Sequence, residues 1–412
     1  MRPFEIKESI ATYTPGVLIL LLPALSNADY ERKHVPTMKK FLDFNSFTVH
    51  IIGSATGSRA LKTEFRNVHT IPFGPTNPSG LNLYVGYFLY LLCAFFKLLI
   101  LSSTINVNII LSIGGHPYSG FIVALVAKLT RKKSIIRIAE ITSDVVKIRY
   151  KMGSFMSKIV TILGRISLVL SDVVITNREM SSYFPGIASK QLVLSQGVEL
   201  EMFTPGEGEP PYSDFRKAIT VSRLEKLKGL DTVLKAISIL KTNYPSISYH
   251  LVGSGPGEQL LRREAASLDL NDNVIFHGHV PHESVPDFLR GCDIFIFSSA
   301  TEGMPSAVLE AMACGLPVVI TKSPSRWESE FENEENALIV GNTPRELANG
   351  IERIMLDADL RQRLVKNGID YVRKYHDSRN TKAVLTQTIT SLVNGLRQID
   401  RKYAHIPAKR PI

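Results

Sequence analysis

The sequence predicts an α/β protein of two doubly wound domains, each a largely parallel sheet covered by helices, facing each other across a cleft. Three observations lead there. Apolar strand-like runs alternate with helical stretches along most of the chain, the mark of βαβ units. The alternation breaks once, at the Gly, Pro and acid cluster "TPGEGEPPYSD" (204–214), and then restarts. A chain of 412 residues also exceeds one ordinary core.

In the first half, strands are expected at 17–22, 47–52, 68–71, 107–113, 134–138 and 172–176, where β-branched residues run together as in strands buried on both faces. Helices are expected between them at 35–41, 83–101, 120–129 and 155–170. After the break come strands at 218–221, 248–252, 274–277, 294–297 and 317–320. Helices at 229–240, 257–268, 284–290 and 305–313 separate them. Three more helices follow, at 343–356, 359–374 and 381–396, ahead of a basic tail. The boundaries this gives are residues 1–203 for the first domain and 204–380 for the second. Residues 381–412 form a helix and tail that pack back toward the first.

Hydrophobic residues make up 44% and charged residues 21%, which excludes a disordered chain. Cys93, Cys292 and Cys314 show no metal or disulfide spacing, so a reduced cytoplasmic setting without structural zinc is expected. The net charge of +10 is one-sided: residues 1–205 carry 22 Lys/Arg against 12 Asp/Glu, and the remainder carries 26 of each. That asymmetry suits an anionic partner for the first domain, a lipid surface, a lipid phosphate or a nucleic acid, of which the nucleic acid is not the one expected here, although a merely solvated basic surface would look the same. The stretch "LYVGYFLYLLCAFFKLLIL" (83–101) approaches membrane-spanning length but contains Lys97. It reads first as a helix largely buried in the first domain, second as a helix touching a membrane face, and last as a span. The run "GVLILLLPALS" from residue 16 fits a buried strand better than a signal-peptide core.

Ligands bind off the carboxyl ends of strands in open α/β sheets, so the loops there hold the candidate site. After the 218–221 strand, "SRLEKLKGLDTVLKA" places Arg223 and Lys228 before a helix opened by Gly229. Two cations and a helix N-terminus make an anion site; a solvated basic loop is the plainer reading. After 248–252, "GSGPGEQL" offers Gly253 and Gly255 for close backbone approach, though a tight turn before a helix reads equally well. After 294–297 comes "SSATEGMPSAVLEAMACGLPVVIT", whose only charges are Glu302 and Glu310. Pro305 suits the first helical turn. Glu310 lies about 7 to 8 Å further along, at roughly 1.5 Å per residue, the offset between a docked phosphate and its sugar. A carboxylate in so apolar a helix needs a partner: the two hydroxyls of a ribose, or a core salt bridge. These loops together describe a site for a nucleotide sugar.

At these residues the chain resembles retaining glycosyltransferases of the GT-B, two-Rossmann type, the family 4 or group 1 transferases. "SRLEKLKGLD", "LVGSGPGEQLL" and above all "VIFHGHVPHESVPDFLRGCDIFIFSSATEGMPSAVLEAMACGLPVV", with its E-x7-E spacing from Glu302 to Glu310, carry the resemblance, which is strong over residues 168–340. "LSDVVITNREM" and "LSQGVELEMFTP" support it.

The resemblance implies that Arg223 and Lys228 hold the diphosphate, Glu310 the ribose and Glu302 the donor sugar. The backbone of Gly303, Met304, Pro305 and Ser306 would line the sugar site, and the loop with His279 and Val280 would approach the base. It implies a UDP-sugar-type co-substrate, no cofactor and no metal, because cations and a helix dipole can supply the stabilisation of a departing diphosphate. The Asp357/Asp359 pair lies far down the chain, where no metal role is expected. The acceptor, a glycan or lipid-linked saccharide, would sit on the first domain; His116 in "SIGGHPYSG" and Glu140 in "IIRIAEITSD" are its candidates, the latter where relatives often carry a histidine. Gln196 stands where relatives often carry Asn, and "KSPSRWESEFENEEN" replaces their usual glycine pair. A nucleotide-sugar epimerase of the same fold and a non-catalytic glycan- or nucleotide-binding protein remain as alternatives.

Overall fold

The computed structural model describes residues 16–22, 38–39, 41–55, 58–72, 81–113, 117–138, 154–176, 185–194, 197–206, 216–300, 302, 304–323 and 327–395. The chain divides into two compact units. Of the described residues, the first takes those up to Ile175, Ser189–Leu192 and those from Leu385; most of the remainder forms the second.

The first unit holds a seven-stranded sheet in the order β3-β2-β1-β4-β5-β6-β7. Its strands are β1 (Gly16–Leu21), β2 (Phe47–Ser54), β3 (Val68–Ile71), β4 (Ile109–Ser112), β5 (Lys133–Arg137), β6 (Val173–Thr176) and β7 (Gln191–Val193). The pairs from β3 through β6 are parallel. Between strands lie α1 (Ser58–Glu64), α2 (Leu81–Thr104), α3 (Pro117–Leu129) and α4 (Ser154–Leu170). Helices α2, α3 and α4 each join strands that advance in one direction across the sheet, so right-handed crossovers put all three on one face.

The second unit is a six-stranded parallel sheet ordered β10-β9-β8-β11-β12-β13. Its strands are β8 (Lys217–Val221), β9 (Ser248–Val252), β10 (Val274–Gly278), β11 (Ile294–Phe297), β12 (Val318–Thr321) and β13 (Leu338–Val340). Its helices are α5 (Leu230–Lys241), α6 (Glu258–Ser267), α7 (Val285–Arg290), α8 (Ser306–Ala313), α9 (Pro344–Leu356) and α10 (Ala358–Tyr375); α11 (Ser378–Val393) follows. One core cluster joins α5 and α9 to one face through Val233, Leu234, Ile237, Leu347 and Ile351. Another joins α7 and α8 to the opposite face through Leu289, Val308, Leu309 and Met312. Two α/β units with parallel sheets are thus the observed architecture.

The expected strands are all present, with ends displaced by at most two residues. The expected helix at 35–41 falls largely outside the described residues, and α1, β7 and β13 had no counterpart in the sequence reading.

One expectation is corrected. The 83–101 stretch is not largely buried: α2 turns Tyr90, Ala94, Leu98 and Leu101 inward and leaves Phe88, Leu92, Phe96 and Ile100 exposed. Among the described residues, no helix is long and apolar enough to cross a membrane.

Candidate active site

In the second sheet the chain runs from β8 outward through β9 and β10, then returns to lay β11 on the other side of β8. The carboxyl ends of β8 and β11 therefore flank the switch point, where a doubly wound sheet leaves a crevice between diverging loops. The loop after β8 carries Arg223 and Lys228; the loop after β11 carries Glu302.

These two loops are stitched together. Ser298 Oγ donates to the carbonyls of Lys228 and Gly229 at 2.8 and 3.0 Å. Ser299 Oγ and the Ala300 amide both reach the Leu227 carbonyl, at 3.3 and 2.8 Å. Gly229 makes the approach feasible. Its φ is +61°, and a Cβ there would be driven into the Ser298 carbonyl. The stitch brings Lys228 Nζ onto Glu302 Oε1 as an ion pair whose two side chains are each 17% exposed. Lys228 also stands 5.8 Å from the centre of the Phe297 ring.

Arg223 has a different setting. Its side chain is 67% exposed, and its Nε lies 3.7 Å from Glu225 Oε2. It follows β8 beside the glycine turn of the next strand. Gly253 has φ +135° and Gly255 sits against Leu224, so a Cβ on either would collide with a main-chain carbonyl, of Ser222 and Leu224 respectively. The two glycines are therefore required for turn packing, whichever ligand the turn faces.

Helices α5 and α8 both begin at these loops without a side-chain cap. Gly229 is the N-cap of α5, and Pro305 is the N-cap of α8, one position before the first turn where the sequence placed it. The Thr232 and Val308 amides bond back to the carbonyls of Gly229 and Pro305 at 3.1 Å, but the N–H groups ahead of them in the first turn have no intrahelical acceptor, so both ends present donors and the positive end of a dipole toward the switch point. Ser306 opens α8, Met304 packs partly buried on the core beneath it, and Gly303 lies outside the described residues.

Glu310 is 5% exposed on α8. Its Oε1 lies 3.2 Å from His282 Nε2, and the His282 ring packs against buried Phe203 with centroids 5.2 Å apart. His282 belongs to the turn after β10 that also carries exposed His279 and half-buried Val280. Sequence reasoning named His279 and Val280 but missed His282; the available signal was a second histidine three residues further on.

Below that turn, His277 Nε2 and His250 Nδ1 are 2.9 Å apart on adjacent strands. Desolvation holds both imidazoles below their ordinary pKa, and for His250 the neighbouring His277 adds to the effect. The first unit repeats the device, with His50 Nδ1 and His69 Nε2 3.0 Å apart on β2 and β3.

The acceptor candidates His116 and Glu140 lie outside the described residues, as does Gln196. Asp357 caps α10 by accepting from the Leu360 amide at 2.9 Å. Among the described residues, no cluster of three or more His, Cys, Asp or Glu is arranged to hold a metal ion.

Residues 207–371 match the family described as glycosyl transferases group 1. A putative colanic acid biosynthesis glycosyltransferase, WcaL of Escherichia coli, is 31% identical over 214 residues, covering 50% of this chain and 52% of that one. The chain spans about half the length of the curated relatives it matches. Among solved structures, HepE of Anabaena in complex with UDP superposes with a TM-score of 0.70 at 18% identity, covering 91% of this chain and 100% of that one. Sucrose-phosphate synthase of Thermosynechococcus elongatus gives 0.73 at 17% identity, covering 92% and 100%. These structural neighbours show that the chain shares their GT-B fold.

Proposed function

We propose that this protein is a retaining, metal-independent glycosyltransferase that moves a sugar from a nucleotide-sugar donor, of the UDP-sugar type, to a glycan or lipid-linked acceptor. One observation carries the reading: the Lys228–Glu302 pair, fixed by stitched loops at the switch point between two uncapped helix N-termini. The matched family segment covers that site, the curated relative WcaL is named a glycosyltransferase, and the structural neighbour HepE was solved with UDP.

The chemistry follows from the groups present. A nucleoside diphosphate departs as an anion, and charge developing on its oxygens is best met by fixed donors and cations in a partly dry site. Lys228 and Arg223 are the cations, and the first-turn amides of α5 and α8 are the donors. Donor binding exchanges partners: Lys228 turns to the phosphate, and Glu302 accepts from hydroxyls of the transferred sugar. Glu310, oriented by His282, accepts from the ribose. Arg223, exposed and only loosely paired with Glu225, is able to swing onto the diphosphate. Retention of the anomeric configuration is carried over from the family resemblance.

The test is a donor screen by thermal shift, followed by product analysis with the best donor. Lys228→Ala is expected to lower turnover by about a hundredfold or more, the loss typical of removing one transition-state donor. Activity should survive chelation of divalent ions. Release of nucleotide and transfer of sugar to an added acceptor is the expected product pattern. Conversion of the donor sugar with no acceptor would identify an epimerase instead, and full biological activity in Glu302→Ala would identify a binding protein.

A further inference from the structure

Eight large apolar side chains that the first unit leaves exposed lie on the single helical layer formed by α2, α3 and α4: Phe88, Leu92, Phe96, Ile100, Leu129, Ile162, Ile166 and Val169. The four on α2 recur every fourth residue, so they form one outward stripe. On α4, Ile162, Ile166 and Val169 fall on one face by the same spacing, and Lys158 and Arg165, both exposed, fall on that face with them. Helix α3 packs between α2 and α4, so the two stripes belong to one surface. Exposed apolar patches of this extent mark an interaction site.

The charge of this layer indicates what covers it. None of the three helices contains an Asp or Glu, while they carry Lys97, Lys128, Lys158 and Arg165. Between Glu64 and Asp172 the sequence holds 12 Lys/Arg and only two acids, Glu140 and Asp144. Asp172 partly neutralises Lys128 and Lys133 at one edge, at 4.0 and 3.2 Å. At the end of α4 Lys190 Nζ reaches the Val169 carbonyl at 2.6 Å, adding a cation beside the stripe. A second copy of the same layer would set the cations of α4 against each other with no carboxylate on the three helices to offset them. Apolar side chains interleaved with basic ones, on helices that themselves carry no carboxylate, complement the headgroup and upper acyl region of an anionic bilayer.

We infer that the outward faces of α2 and α4 form an interfacial docking surface for an anionic lipid bilayer, with the aromatic and aliphatic stripes entering the acyl boundary and Lys158, Arg165 and Lys190 meeting lipid phosphates. This surface shares no residue with the transfer site, so the inference stands whether or not the proposed reaction is correct.

Co-sedimentation of the full-length protein with vesicles tests it, using phosphatidylcholine alone and phosphatidylcholine with phosphatidylglycerol. Binding is expected to the anionic vesicles, at least tenfold weaker to the neutral ones, and to weaken as salt rises. Lys158→Gln with Arg165→Gln should weaken it about thirtyfold, on a basis of about 1 kcal/mol per cation near an anionic surface. Phe96→Ser with Ile162→Ser should weaken it at least tenfold, with an unchanged thermal midpoint because both side chains are exposed. Glu302→Gln, altered only at the transfer site, should bind vesicles like wild type. Equal binding to neutral and anionic vesicles would overturn the inference. So would an absence of vesicle binding combined with a dimer that Phe96→Ser dissociates, which would assign the surface to a second copy. Should the apolar double variant misfold, the salt dependence and the charge variant still decide.

Discussion

At the scale of single residues, the site depends on pairs the sequence could place only in part. Convergence of Lys228 and Glu302 was legible, because each follows a strand and those strands become neighbours. The His282–Glu310 contact was not, since it joins residues 28 apart through the packing of a turn against α8. The two histidine pairs likewise depend on register between adjacent strands. The ion pair gives a prediction that separates stability from chemistry. Lys228→Met leaves a half-buried carboxylate unpaired and should cost about 1 to 2 kcal/mol in urea unfolding. Adding Glu302→Leu should restore part of that stability and none of the turnover; stabilities that simply add would contradict the pairing. A second prediction concerns Gly253, whose φ of +135° and contact with the Ser222 carbonyl leave no room for a side chain. Gly253→Ala should cost about 1 to 3 kcal/mol or more. Gly278, with φ +69° but open space around it, should tolerate Asn far better, and equal losses at the two positions would refute the steric account.

At the scale of elements, the buried parallel strands were the easiest features to read, because burial on both faces turns them into short apolar runs such as "IFIF" and "VVIT". The strands β7 and β13 are three residues each, too short for periodicity to emerge, and α1 is only two turns. Helix α2 misled for a different reason: it is apolar on every side, so the sequence could not show which face meets the sheet. The start of α9 was legible in "NTPRE", where Thr343 and Glu346 form a reciprocal capping box. Thr343→Ala should lower stability by about 1 kcal/mol, whereas Thr343→Ser should stay close to wild type, as read from thermal melts. The unlike case is α8, which lacks such a cap. Its first-turn donors are kept for a ligand in the reading proposed here, and the transfer site thereby forgoes local helix stability.

At the scale of the whole molecule, both units carry a stacked histidine pair on neighbouring outer strands, His50 with His69 and His250 with His277. Burial lowers all four imidazoles below 6.5; Lys97 adds to this at His69 and Lys217 at His250, where Asp293 opposes it. The unfolded chain therefore binds more protons than the folded one once pH falls below about 6.5, and stability must decline in that direction. The urea midpoint should drop between pH 7.5 and 5.5, and an unchanged midpoint would contradict the assignment. The path of the chain was only partly visible in advance. Helix α11 begins with the second unit, yet from Leu385 onward it belongs to the first, where Leu385 and Ile389 are fully buried and the Val393 side chain packs beside Gly16 at the start of β1. During synthesis, then, the first unit cannot complete its interior until α11, which follows nearly all of the second unit in the chain, has emerged. A nascent chain halted anywhere before Leu385 should leave the apolar surface at the start of β1 open to chaperones and proteases.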